Sequence, residues 1–366
     1  MPAPSDNDDA RERVRLVRSR TRPRALRVFV AGLCVAGLIV ALAFALASRR
    51  GRAGPRANDR PPQLLVDERT CYFGWAPDMV DELSMPGKPL HWQVRTDEDG
   101  FRVGARPHPP HPRCRALVVG DSFTAGEWVK GDEAFPAVLE KLLDDQGYSV
   151  RVDNGGTVGQ TIAQERTNLL SRWAGLHSDL AVVATCGNDL TDLALLQARS
   201  CRLETAPVSA LRPFGSAADR ALDGFTQEVR AQLVHTRSRM EEIVDSGGGA
   251  LPESRAACDA AADEYVREAV DTARALRARH ERLVFDLLEP FFCPAAHGAW
   301  GEPEQNAFSA RLTTALKAEG AVVLVSPWAA RLTPWDEHPS PAGHRTIARA
   351  LAQRLESLGW LDRCRP

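Results

Sequence analysis

Four short polar turns, far apart in the 366-residue chain, carry the residue types that acyl transfer requires. Gly120-Asp121-Ser122 supplies a hydroxyl, either as a nucleophile or, in the structural alternative, within an N-cap. Asn154-Gly155-Gly156-Thr157-Val158-Gly159 supplies backbone N–H groups unobstructed by side chains, or is only a tight loop. Gly187-Asn188-Asp189 supplies a side-chain amide, or caps a helix. Asp336-Glu337-His338 places an imidazole next to carboxylates, or is a surface loop ahead of Pro339. A serine needs a base to take its proton, the base needs a group to orient it, and the developing oxyanion needs donors. The four turns contain all of these.

For the turns to act together, the elements between them must bring them to one place. An unbroken apolar run at 116–119 reads as a buried parallel strand ending at the first turn. Further strands are predicted at 148–152, 179–184, 283–287 and 321–325. Helical spacing occupies 135–143, 162–173, 305–319 and 344–358, the last opening at His344. Strands separated by helices imply right-handed crossovers and a parallel sheet. Its strand-end turns share one edge, where open α/β sheets bind ligands. The rhythm breaks at about 190–280, where helical spacing at 217–244 and 255–279 flanks Ser246-Gly-Gly-Gly249. An inserted helical hairpin or cap is expected there.

Gly-Asp-Ser, then Gly, then Gly-x-Asn-Asp in the shortened form Gly187-Asn188-Asp189, then a late Asp/His pair, resembles the SGNH (GDSL) hydrolase superfamily. The likeness covers roughly 115–358. The lead-in Asp97-Glu-Asp-Gly100-Phe-Arg102 ahead of Gly120-Asp-Ser-Phe-Thr124 resembles its bacterial membrane-anchored members. The resemblance implies a flavodoxin-like three-layer α/β/α sandwich. It implies Ser122 as nucleophile and an oxyanion hole from the N–H groups of Ser122 and Gly159 with the Asn188 amide. His338 would be the general base and then the acid, and Asp336 its orienting carboxylate. No metal and no organic cofactor are implied. The commoner spacing in the family is Asp-x-x-His. Here Trp335 holds that place, Asp336 stands two residues before His338, and Glu337 is the substitute carboxylate. The expected activity is an exported serine esterase acting on a small acyl group of a carbohydrate or small molecule. An O-acyltransferase of a surface glycan and a non-catalytic glycan- or protein-binding envelope module are the alternatives.

Charge and cysteine use bear on location. Residues 1–27 carry eight arginines against four acids, and 28–47 are twenty residues without a charge, enough for one helical membrane crossing. The basic lead-in favours a cytoplasmic N-terminus and an exported body on a retained anchor. Ala45-Leu46-Ala47 offers the competing reading of a cleaved signal peptide. A linker follows at 48–62, an irregular or β-rich lead-in at 63–112, and the hydrolase-like domain at 113–366. Of the charged residues, 13 basic and 5 acidic lie in 1–60, leaving 33 basic and 43 acidic in 61–366. An acidic body argues against nucleic acid as partner. Seven cysteines follow the apolar segment, without a C-x-x-C pair. Two or three disulfides are expected, with at least one thiol left over. His108 and His111, in a Pro-rich spacer, read as a solvated loop rather than a metal site.

Overall fold

The computed structural model describes residues 64–67, 69–84, 91–198, 205, 207, 212–213, 254–279, 282–288, 290–295, 298–326, 331–333 and 336–366. The apolar segment expected at 28–47, its flanks and the predicted helix at 217–244 lie outside the described residues. No helix among the described residues is long and apolar enough to cross a membrane.

Two short antiparallel hairpins open the described residues: β1 (Leu64–Asp67) with β2 (Tyr72–Trp75), and β3 (Val80–Ser84) with β4 (His91–Arg95). Then come β5 (Cys114–Gly120), helix α1 (Ser122–Ala125), α2 (Phe135–Asp145), β6 (Val150–Asn154), α3 (Ile162–Thr167), β7 (Leu180–Cys186) and α4 (Asp189–Ala198). A two-residue strand β8 (Arg212–Pro213) pairs with β1. The chain closes through α5 (Arg255–Ala278), β9 (Arg282–Leu288), α6 (Glu302–Ala318), β10 (Val322–Val325), the pair β11 (Arg331–Thr333) and β12 (Asp336–Pro339), and α7 (Pro341–Ser357).

The five strands expected from the apolar runs form one parallel sheet in the order β10-β9-β7-β5-β6. Every residue of β7 is buried, as a strand covered on both faces must be. One face packs on α3, α4, α5 and α6 through Leu117, Val183, Tyr265 and Phe285; the other packs on α2 and α7 through Val118, Val182, Leu139 and Leu351. This is the doubly wound arrangement, with the chain reversing direction across the sheet between β5 and β7.

Three expectations change. The helix predicted over 162–173 ends at Thr167 and continues as a π-helical turn, Asn168–Arg172. Buried Asn168 there accepts from the Tyr72 hydroxyl at 2.6 Å and donates to Gln160 Oε1 at 2.8 Å, tying the turn to the first hairpin. Next, the ends of the stretch read as an insertion belong to the core. α4 starts at Asp189, and α5 buries Ala262, Tyr265, Ala269 and Leu276 against the sheet. Finally, 64–103 is not a mere approach to the domain. Phe73, Trp75, Met79, Trp92 and Val94 form a core with Ala125 and Val158, from the two turns that follow β5 and β6.

Two disulfides join described residues, Cys114–Cys364 and Cys258–Cys293. Cys71 is also disulfide-bonded, and Cys186 is a buried free thiol. His108 is not a solvated loop residue: it is half-buried, with Nδ1 2.7 Å from buried Glu140.

Candidate active site

β5 ends in Gly120 because a side chain there would collide with Thr124 and the Ala184 carbonyl. Asp121 then caps α1, its Oδ1 accepting the Phe123 N–H at 2.9 Å. The cap reading and the nucleophile reading of this turn are therefore compatible. Asp121 caps, and Ser122, the first residue of the helix, has an N–H with no intrahelical acceptor.

His338, on β12, points back at this turn. Its Nε2 lies 2.9 Å from Ser122 Oγ, across 216 residues of sequence. The imidazole packs against the Phe123 ring at a centroid distance of 5.3 Å. Asp336 and Glu337 lie on the same strand, and their side chains fall outside the described residues. His344 is not part of the pair. It is buried in α7, where Nδ1 accepts the Phe135 N–H at 3.2 Å, and burial followed by the charges of Arg102 and His338 pushes its pKa down to about 3.

The Gly-rich turn is fastened to the end of β5: Gly155 N–H donates to the Val118 carbonyl at 2.7 Å and Thr157 N–H to Gly120 at 3.0 Å. A Cβ on Gly156 would stand 2.2 Å from the Ala125 nitrogen, so only glycine lets this turn lie against α1. Gly159 has φ +75°, the left-handed region.

Asn188 stands at the start of α4. Its Nδ2 donates to Asp192 Oδ2 at 2.8 Å, leaving one amide hydrogen, and its Oδ1 lies 2.6 Å from Cys186 Sγ. The same sulfur lies 2.7 Å from Asp121 Oδ2. Cys186 thus bridges the first and third turns. Burial, with Asp121 and Asp189 nearby, pushes its thiol pKa well up. A thiol held protonated is a donor and not a nucleophile.

Behind the turns lies a nest of buried acids. Burial raises Asp121, Asp189 and Glu165, and their mutual repulsion adds to the shift in Asp189 and Glu165. Asp189 accepts from the Cys186 N–H and the Tyr265 hydroxyl. Asp121, Cys186 and Asp189 are close enough to share a cation, as are Asp97, His108 and Asp153. Both sets already have other partners. The first receives N–H and O–H donors, and in the second Asp97 and Asp153 pair with Arg151 and His108 with Glu140.

One residue at the pair was not foreseen. Glu127 is buried, with Oε2 3.1 Å from His338 Nε2. The sequence signal was present: it is the one charge between Phe123 and Val129. Arg102 was noted for its motif alone. Its buried guanidinium donates to the carbonyls of Ala125, Gly126 and Val129, and burial pushes its pKa down to about 9. Trp128 takes φ +64°, at a cost of roughly 1–2 kcal/mol for a residue other than glycine.

The model of the GDSL-like lipase/acylhydrolase family matches residues 118–346. Esterase TesA of Pseudomonas aeruginosa is 37% identical over 73 residues, 20% of this chain and 36% of that protein. The chain thus spans about a third of the length of the curated relative it matches. Among solved structures, a crystal structure of TesA aligns at TM-score 0.41 and 18% identity over 67% of this chain and 99% of the other. The psychrotrophic esterase EstA from Pseudoalteromonas sp. aligns at 0.41 and 9% identity, over 67% and 97%. A carbohydrate acetylesterase family member from Sinorhizobium meliloti aligns at 0.37 and 16%, over 67% and 98%.

Proposed function

Because the chain belongs to the GDSL-like lipase/acylhydrolase family, we propose that it is a serine esterase working through an acyl-enzyme on Ser122. The observation that carries this reading is the 2.9 Å contact between Ser122 Oγ and His338 Nε2 at the carboxyl edge of a parallel sheet. Ser122 Oγ attacks the ester carbonyl as its proton passes to Nε2. The oxyanion is received by the N–H groups of Ser122 and Gly159 and by the second amide hydrogen of Asn188. Nε2 then gives its proton to the departing alcohol oxygen, and a water activated by the same nitrogen releases the acid. Asp336 holds the imidazole tautomer.

The substrate we assign is a small acyl ester of a carbohydrate or small molecule, outside the cytoplasm. An exported body is supported by the uncharged stretch at 28–47 behind eight arginines, and by disulfides, which persist in oxidising compartments.

The test is turnover of p-nitrophenyl acetate and butyrate by the full-length protein beside Ser122→Ala and His338→Ala. Both substitutions are expected to lower kcat by at least about 10³-fold. A folded Ser122→Ala protein with wild-type turnover would end the proposal. Adding a sugar acceptor and analysing products separates release to water from transfer to a hydroxyl.

A further inference from the structure

Glu127 follows the nucleophile turn directly, and its own N–H donates to the Ser122 carbonyl at 3.0 Å. Its carboxylate is buried, a costly placement for a charge without a partner. The group facing it is His338 Nε2, the nitrogen that also faces Ser122 Oγ, and Nε2 can donate to the carboxylate only when it carries the proton. The backbone is shaped to put it there. Residues on both sides, Gly126 at φ +72° and Trp128 at φ +64°, are left-handed. Strain of this kind persists where the surroundings enforce it. Here the enforcement comes from Trp92, 6.2 Å from the Trp128 ring, and from Arg102, whose guanidinium takes the carbonyls of Ala125, Gly126 and Val129. Those carbonyls bracket Glu127. The backbone of Arg102 is itself pinned, its N–H donating to Asn154 at 2.8 Å.

We propose that Glu127 is a positioning residue for the serine reaction, held by Arg102 so that its carboxylate steadies His338 on the nucleophile side. The inference rests on the reading of Ser122 and His338 given above. As the Oγ–carbon bond forms, the carbonyl electron pair moves onto its oxygen and the serine proton moves to Nε2. The new N–H lies between the departing oxygen and Glu127, whose carboxylate can then accept from the imidazolium. On collapse the electron pair returns, the ester C–O bond breaks, and the Nε2 proton leaves with the alcohol. Asp336 would serve the other ring nitrogen, so the two carboxylates do different work. The lead-in motif ending at Arg102 gains a purpose: it fixes the shape of the Ala125–Val129 segment.

The experiment compares the full-length wild type with Glu127→Gln and Glu127→Asp on p-nitrophenyl acetate, with Ser122→Ala alongside and thermal unfolding of each. Glu127→Gln keeps the shape and removes the charge; it is expected to lower kcat about 10- to 100-fold with KM moved by less than about twofold. Glu127→Asp keeps the charge and should recover part of that loss. A wild-type kcat in Glu127→Gln, or a Gln variant faster than the Asp variant, overturns the proposal, because packing rather than charge would then matter. If the glutamine variant does not fold, the Asp variant decides: a several-fold loss in kcat at unchanged KM is expected, and no loss overturns. An active Ser122→Ala protein would instead sink the serine reading itself. An inactive Ser122→Ala with an undiminished Glu127→Gln sinks this inference alone.

Discussion

At Cys186 one thiol proton faces two acceptors, Asp121 Oδ2 and Asn188 Oδ1. From the sequence Cys186 reads as either a buried strand-end or a disulfide cysteine; its bridging of two turns is not legible, because that depends on which strands are neighbours. Asp286 was hidden for a similar reason. It interrupts the apolar run of β9, and in a buried strand one polar residue carries no periodic signal. Its Oδ2 accepts from the Ser326 hydroxyl at 3.0 Å, Oδ1 has no partner among the described residues, and burial pushes its pKa from 3.8 to about 7. Between those values the folded state holds more protons than the unfolded one, so this group's contribution to stability falls as pH rises through the window. Asp286→Asn should remove the penalty. Urea unfolding should show the variant more stable at about pH 8, by an amount of the order of a few kcal/mol, with the gap closing near pH 4. A wild type that is the more stable at pH 8 would contradict the assignment.

Among the elements, those with strong local patterns were the readable ones. The five strands of the sheet are short, mostly apolar stretches bounded by turns, with polar residues within β6 and Asp286 within β9, and each lies within a few residues of its expected place. The α5 helix had the right spacing and the wrong assignment. Its core face is built largely from alanine, Ala261, Ala262, Ala269 and Ala273, and so lacks the Leu/Ile/Val stripe that marks a layer helix. The lead-in reads from the sequence as irregular or β-rich, and its two hairpins at 64–95 are the β-rich case; what the sequence does not show is that their partners are site turns. Trp75 Nε1 donates to the Gly156 carbonyl, and Gln160 Nε2 to that of Phe73. Such partners cannot be inferred from local periodicity. The hairpins therefore help to shape the site, and Arg102, just beyond them, is bonded to the Ala125–Val129 segment.

At the scale of the whole molecule, Cys114–Cys364 ties the first residue of β5 to the last turn of the chain, 250 residues away. Closing so long a loop restricts the unfolded chain, and removing such a bond costs about 2–5 kcal/mol. Cys114→Ser with Cys364→Ser should therefore lower Tm by roughly 5–15 °C in non-reducing buffer. An unchanged Tm would show that the bond contributes nothing. The odd cysteine expected from the count is Cys186, buried and hydrogen-bonded. The family and the sheet were legible because three motifs fall in order at strand ends of the sheet and a fourth, Asp336-Glu337-His338, follows late in the chain. The contact of Glu127 with His338 and the bonds of Arg102 were not, since they arise from packing between segments, although Glu127 stands out as the one charge between Phe123 and Val129.

The most direct measurement is the site of covalent modification by diethyl p-nitrophenyl phosphate, a reagent that traps an activated serine. The full-length protein, treated with the reagent and mapped by peptide mass, should carry one diethylphosphoryl group on Ser122 and lose its esterase activity in step. Ser122→Ala should take up none, and His338→Ala should react far more slowly. Inactivation with the label on another residue, or full activity in a protein already labelled on Ser122, would contradict the account.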